Sequence, residues 1–189
     1  MTRGPLDLLG HVASILDGLA IPYALGGSLA SSLFGEPRST ADVDIAVRLN
    51  ADRSNDLLAS FDTEFYVPTE AAHEAVTAHS SFNVLDTTSG LKVDLFVLGD
   101  GALDTMQIER RIEVAITGID RPIWVTSPEV QVLRKLDWFV REGGTSDRQW
   151  RDVISILRIT TDLDRTFLAE AARTLGLDTM LADALGQAG

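Results

Sequence analysis

Cysteine is missing from this sequence, and histidine occurs only three times in 189 residues. Without cysteine the chain has no disulfide framework, no thiolate nucleophile and no zinc site built on sulfur. With only three histidines, far apart in the sequence, a histidine-rich metal site is also not expected. Any metal that the protein holds is therefore expected to have oxygen ligands.

Long apolar segments are also lacking. Residues 1–10 contain Arg3, Pro5 and Asp7 and do not form the apolar core of a secretory signal. No other stretch approaches the roughly eighteen apolar residues that a membrane span requires. We therefore expect a cytoplasmic protein with no membrane partner.

Positive charge is scarce, with 16 Lys and Arg against 28 Asp and Glu and a formal net charge of -12. Residues 1–126 carry a net charge of -10 and residues 127–189 a net charge of -2. An acidic chain repels a phosphate backbone, so strong non-specific binding to nucleic acid is not expected. A nucleic-acid partner would need a local basic patch.

The order of predicted elements indicates an α+β fold, in which helices and strands alternate and helices alone follow. The length suits one domain with a small appendage, so we divide the chain into a core, residues 1–126, and a helical region packed on it, residues 127–189. The core is predicted to contain helices at 6–18, 28–34, 52–61 and 70–79 and strands at 23–25, 42–47, 82–86, 91–98, 111–117 and 122–126. Four helices are predicted from Pro128 onward.

Acidic side chains interrupt two predicted strands. Asp42 and Asp44 lie on one face of the first strand, because side chains alternate between the two faces of a sheet. In the second strand, Lys92 and Asp94 share a face in the same way. An isolated Asp-x-Asp is usually a solvated strand end. If these strands are neighbours, however, three carboxylates converge within reach of two metal ions, an arrangement used for phosphoryl transfer.

A glycine turn, Gly26-Gly27-Ser28, lies between a predicted strand and the start of a helix. Free backbone N–H groups and the helix dipole make such a turn an anion site. Ser28 either caps the helix or donates its hydroxyl to a triphosphate. Neither a P-loop lysine nor a dinucleotide-binding glycine pattern accompanies the turn.

The strand, Gly26-Gly27-Ser28, a helix, Arg38-Ser39-Thr40, Asp42-x-Asp44 and the later Asp94 together resemble the nucleotidyltransferase superfamily typified by DNA polymerase β. The resemblance covers about residues 20–100 and implies a polymerase β-like mixed sheet flanked by helices. Residues 133–136 and 147–152 are similar, more loosely, to the minimal nucleotidyltransferases related to abortive-infection toxins.

This resemblance implies roles for the core residues. Gly26, Gly27 and Ser28 would bind the nucleotide, with Gly27 and Ser28 holding the β and γ phosphates. Asp42 and Asp44 would bind two Mg²⁺ ions. Asp94 would ligate the catalytic metal and help to deprotonate the acceptor hydroxyl.

The resemblance also implies that Lys135 contacts the triphosphate and that Arg151 and Asp152 are accessory residues. Simpler interpretations remain open: Lys135 is a surface lysine, and Arg151 and Asp152 form surface pairs on a helix. Arg38 either contacts a phosphate or pairs with a nearby carboxylate. The three tryptophans, Trp124, Trp138 and Trp150, are interpreted as core residues.

The implied activity is Mg²⁺-dependent transfer of a nucleoside monophosphate from a nucleoside triphosphate such as ATP to an acceptor hydroxyl. The toxin-like branch implies tRNA or a protein as acceptor and a cognate antitoxin as partner. A small cationic acceptor of the aminoglycoside type is the alternative, because an acidic core attracts a polycation. A third hypothesis is a nucleotide-binding or antitoxin-like module without turnover.

Overall fold

The computed structural model describes residues 3–189, which form seven strands and nine helices in the described part of the chain. In chain order the elements are α1 (Pro5–Gly18), β1 (Tyr23–Leu25), α2 (Gly27–Phe34), β2 (Val43–Val47), α3 (Ala51–Ala59), β3 (Phe65–Tyr66), α4 (Thr69–Ala78), β4 (Ser81–Asp86), β5 (Lys92–Val97), α5 (Ala102–Glu109), β6 (Ile112–Val114), β7 (Ile123–Val125), α6 (Pro128–Arg141), α7 (Asp147–Ile159), α8 (Arg165–Leu175) and α9 (Asp178–Ala188). Among residues 3–189, no helix combines the length and apolar character needed to cross a bilayer.

The strands form one mixed sheet in the order β3-β4-β5-β2-β1-β7-β6. At its centre β2 runs parallel to β5 and antiparallel to β1. The successive strands β4 and β5 pair antiparallel, and so do β6 and β7. The α+β class with a mixed sheet is therefore confirmed.

The two central strands β2 and β5 have one apolar and one polar face. Val43, Ile45 and Val47 of β2 are fully buried, and the corresponding residues of β5 are also buried. The alternate residues, Asp44 and Asp94 among them, lie on the opposite face. Because β2 and β5 pair without a register shift, these two aspartates lie side by side.

The larger hydrophobic core lies on the apolar face of the sheet. It includes buried residues of α1, such as Leu9 and Leu16, and of α3 and α4, such as Leu57 and Ala75. Burying each large aliphatic side chain contributes about 1.5–3 kcal/mol, so this face anchors the sheet. The opposite face is left to form the floor of a cleft.

The C-terminal helices form a second hydrophobic cluster. Ser127 caps α6 by accepting a hydrogen bond from the Val130 N–H at 3.4 Å, and Pro128 occupies the first helical turn, as the sequence predicts. Leu136 of α6 and Ile156 of α7 are fully buried in this cluster. Both helices pack against α2, which brings them to the polar side of the sheet. The division at residue 126 stays a prediction.

Two short elements, β3 and α5, are not predicted from the sequence. β3 is only two residues long and packs at the sheet edge, and α5 has few buried residues and therefore a weak helical pattern. The predicted strand at 42–47 begins one residue later, at Val43. Asp42 consequently precedes the strand and is exposed.

Candidate functional site

The glycine turn packs closely against Asp44. Gly26 is the N-cap of α2 and donates its N–H to the carbonyl oxygen of Asp44 at 2.8 Å. Gly27 has a φ of +58°, and a Cβ at that position would stand 1.8 Å from Asp44 Oδ2 and 2.7 Å from Asp44 Cβ. Any side chain at position 27 would displace the carboxylate, so glycine is required for this close approach.

Ser28 lies inside the first turn of α2 and does not cap it, which corrects the simpler of its two interpretations. The side chain is almost completely buried. Its hydroxyl oxygen accepts hydrogen bonds from Arg38 and from Arg148 Nη2, the latter at 2.8 Å. Two guanidinium groups therefore meet at the end of the glycine turn.

The carboxylates lie along β2 and β5. Asp44 and Asp94 are paired in register on adjacent parallel strands, about 4.8 Å apart between strand axes. Asp94 accepts hydrogen bonds from Lys92 Nζ at 2.7 and 3.0 Å, and this contact raises the pKa of Lys92. Asp42 lines the same cleft but precedes the strand.

Burial raises the pKa of Asp44, and the neighbouring carboxylates of Asp94 and Asp42 raise it further. Lys135 and the backbone N–H of Ser28 act in the opposite direction but do not outweigh these effects. Asp44 is thus a carboxylate whose negative charge is poorly compensated. A cation bound beside it would relieve this cost.

Two cations pair with the buried Asp152 of α7, and of these Lys135 is buried while Arg38 is partly exposed. Lys135 Nζ lies 2.9 Å from Asp152 Oδ2, and Arg38 Nε lies 3.2 Å from Asp152 Oδ1. Lys135 is 7% exposed, so its interpretation as a surface lysine is wrong. Burial lowers the pKa of Lys135; Asp152 opposes this shift, while Arg38 and Arg148 add to it.

Arg151 lies apart from this cluster. It is exposed, and its Nε donates to the carbonyl oxygen of Asp147 on the same helix at 3.3 Å. The accessory pair predicted from the resemblance is therefore divided, with Asp152 in the cation cluster and Arg151 on the helix surface.

The two charged groups face one cleft of about 450 Å³. Its lining includes the glycine turn, Asp42, Asp44, Asp94, Lys135 and Arg148. A volume of this size is in the range of small-ligand sites. The cleft therefore joins a cationic wall, formed by Lys135 and Arg148 beside the glycine turn, and a carboxylate floor, formed by Asp42, Asp44 and Asp94, in a single ligand-sized space.

Solved structures with this architecture are nucleotidyltransferase-like. An antigenic nucleotidyltransferase-like protein from Paracoccidioides brasiliensis matches with a TM-score of 0.60 and 22% identity, over 97% of this chain and 92% of its own. The fold is that of the nucleotidyltransferases. No family model and no curated protein matches the sequence.

A second protein of similar fold is the antibiotic-resistance factor ANT(2'')-Ia. Its solution structure gives a TM-score of 0.54 at 15% identity, over 93% of this chain and 94% of that one. A crystal structure of ANT(2'')-Ia in complex with adenylyl-2''-tobramycin gives a TM-score of 0.52 at 13% identity, over 97% and 98% of the two chains.

The resemblance found in the sequence implies Mg²⁺, and the donor types in the cleft fit that ion. Asp42, Asp44 and Asp94 offer only carboxylate oxygens, which Mg²⁺ prefers. Across residues 3–189, however, no three His, Asp or Glu side chains stand close enough together to hold a metal ion in this arrangement. The Lys92 ammonium, 2.7 Å from Asp94 Oδ2, neutralises that carboxylate. The two-metal site stays a prediction.

Several residues of the cleft were not predicted from the sequence, among them Arg148, Gln131 and Trp138. Arg148 of α7 donates a hydrogen bond to Ser28. Gln131 Nε2 donates to the carbonyl oxygen of Gly27 at 2.7 Å and to Ser31 Oγ at 2.9 Å. Trp138 is 49% exposed in the cleft, so its interpretation as a core residue is wrong. The available signal was the helical spacing of Gln131, Lys135 and Trp138 on one face of α6.

Proposed function

We propose that this protein transfers a nucleoside monophosphate from a Mg²⁺-bound nucleoside triphosphate to an acceptor hydroxyl, with release of pyrophosphate. The observation that carries the proposal is the in-register pair of Asp44 and Asp94, which lines one cleft together with the Gly27–Ser28 turn packed against Asp44. A solvated strand end would not need a glycine packed against its carboxylate.

In this proposal the cationic wall of the cleft holds the triphosphate. The start of α2, at Gly27 and Ser28, is the anion site for phosphate oxygens, because the helix dipole favours negative charge there. Lys135, Arg38 and Arg148 supply positive charge beside them, and Asp152 holds the first two of these in place. Lys135 and Asp152 are both buried, so little water screens the electrostatic interaction between them.

The carboxylate floor directs the reaction. Asp42, Asp44 and Asp94 would hold Mg²⁺, which supplies charge neutralisation between these carboxylates and the triphosphate when it is bound. The acceptor oxygen forms a bond to the α phosphorus, and the bond between that phosphorus and the β-phosphate oxygen breaks. Asp94 takes the proton of the acceptor hydroxyl, and pyrophosphate leaves.

The experiment is incubation with each of the four α-labelled ribonucleoside triphosphates, Mg²⁺ and a set of acceptors. Wild type should transfer label, whereas Asp44→Asn should lose transfer and remain folded by circular dichroism. Arg151→Gln, outside the cleft, is the matched control and should transfer label at the wild-type rate. Tight nucleotide binding without transfer to any acceptor would instead identify a non-catalytic module.

For the acceptor, we propose a small cationic molecule ahead of tRNA or a protein. Three arginines of α6 and α7 are engaged within the chain: Arg134 pairs with Asp104, Arg141 pairs with Asp137, and Arg148 donates to Ser28. Exposed Asp42 and Glu142 line the cleft and would attract a polycation. ANT(2'')-Ia, whose fold is similar, is known in complex with adenylyl-2''-tobramycin.

The acceptor assay therefore compares an aminoglycoside panel, total RNA and the protein itself. Label on an aminoglycoside supports the small cationic acceptor. Label on tRNA alone, or on a protein, would replace it with the toxin-like function and would make a cognate antitoxin the expected partner.

A further inference from the structure

Trp138 is an exposed tryptophan inside the cleft. Its exposed fraction is 49%, although the opposite face of α6 is fully buried at Leu133 and Leu136. Exposing so large an apolar ring to water is unfavourable, by roughly 25 cal/mol for each Å². A bound ligand that covers the ring would recover this free energy.

The other two tryptophans have packing roles. Trp124 packs against the larger core and lies under the Arg111 guanidinium at 4.6 Å. Trp150 packs in the second cluster and against the Phe139 ring at a centroid distance of 5.1 Å. Trp138 belongs to neither cluster among residues 3–189. Its ring is therefore available to a ligand.

Trp138 lies on α6 close to the cationic wall of the cleft. Gln131, Lys135, Trp138 and Glu142 all line the cleft, at helical spacings of four, three and four residues. Gln131 bonds to the glycine turn and Lys135 to the cation cluster. Trp138 follows Lys135 by about 4.5 Å along the helix axis, in the direction away from the turn. A ligand with its phosphates at the wall would thus extend toward Trp138.

Apolar side chains of β5 line the same cleft as Trp138. Phe96 lies on the same strand face as Asp94, and Leu98 follows the strand. Aromatic rings and aliphatic side chains pack favourably against the flat face of a nucleobase, whichever base it is. We infer that Trp138 is the stacking platform for the base of the nucleoside triphosphate. This inference rests on the proposed function.

The experiment compares Trp138→Ala, Trp138→Phe and wild type by calorimetric titration with ATP, GTP, CTP and UTP in Mg²⁺. Inorganic tripolyphosphate, which has phosphates but no base, is titrated in parallel. Val140→Ala is the matched control, because Val140 is also 49% exposed on α6 but does not line the cleft. Circular dichroism checks that each variant is folded.

Trp138→Ala should weaken nucleotide binding by roughly 5- to 150-fold, the effect expected for losing one base–aromatic stack. Trp138→Phe should retain most of the affinity, and Val140→Ala should bind as wild type does. All three variants should bind tripolyphosphate normally. Nucleotide should also quench tryptophan fluorescence in wild type more than in Trp138→Phe.

Three outcomes would overturn the inference, and each is distinct from failure of the proposed function. Unchanged nucleotide affinity in Trp138→Ala would exclude stacking on this ring. Equal losses of nucleotide and tripolyphosphate affinity would mean that Trp138 positions the cationic wall instead. Normal nucleotide affinity with a raised KM for the acceptor would make the ring an acceptor contact. If wild type binds neither nucleotide nor tripolyphosphate, the proposed function itself fails.

Discussion

Replacing Gly27 with alanine tests the close approach of the glycine turn to Asp44. The added Cβ would stand 1.8 Å from Asp44 Oδ2, 2.5 Å from Cγ and 2.7 Å from Cβ. Because the Asp44 Cβ is fixed to its strand, a side-chain rotation alone does not remove the clash. Either β2 or the turn must move, which separates Asp44 from Asp94 or from the anion-binding N–H groups.

The magnitude follows from two contributions. Alanine in the left-handed conformation costs about 1–2 kcal/mol, and overpacking against Asp44 adds about 1–3 kcal/mol. Gly176→Ala isolates the first contribution, because Gly176 has a φ of +69° and nothing lies within 4 Å of an added Cβ. In a chain of this size each kcal/mol lowers Tm by roughly 2–4 °C. Gly27→Ala should therefore melt about 2–12 °C below Gly176→Ala.

Thermal unfolding by circular dichroism measures the two Tm values, and label transfer measures activity. Gly27→Ala should lose transfer even at temperatures where it is fully folded, while Gly176→Ala should keep it. Equal melting temperatures for the two variants, together with wild-type transfer by Gly27→Ala, would refute the close contact between Gly27 and Asp44.

Three further predictions concern the charged groups. Asp44→Asn should stabilise the metal-free protein at pH 7.5: a raised folded pKa means that this aspartate loses stabilising free energy as pH rises through that pKa, so the gain should vanish at acidic pH. Thermal unfolding in chelator at several pH values checks the trend, and a gain that grows toward acidic pH would contradict it. Asp152→Asn leaves Lys135 and Arg38 without their buried counter-charge and should cost on the order of 3 kcal/mol. Because phosphate replaces that charge, tripolyphosphate should raise the Tm of this variant more than that of wild type; a smaller rise would mean that Asp152 is required to position the cations. Lys92→Gln removes the ammonium that neutralises Asp94, so calorimetry should detect tighter Mn²⁺ binding, whereas weaker binding would show that Lys92 orients the carboxylate.

Much of the fold could be predicted from local patterns. The alternation of Val43, Asp44 and Ile45 defines both a strand and its buried face, and Ser127-Pro128 marks the start of α6. α5 and β3 were not predicted, because their short sequences carry little periodicity and their conformation depends on packing. The same limit applies to Trp138, since hydrophobicity alone does not distinguish a core ring from one in a cleft.

Local sequence determined the two faces of β2 and β5, the glycine turn and the start of the helical region, because these depend on neighbours a few residues apart. Tertiary structure decided which distant groups meet. Pairing of β2 with β5 places Asp44 beside Asp94, and packing of α6 and α7 on α2 buries Lys135 with Asp152. Such contacts depend on chain topology and on the cost of burying unpaired charge, which neither strand alternation nor helical spacing encodes.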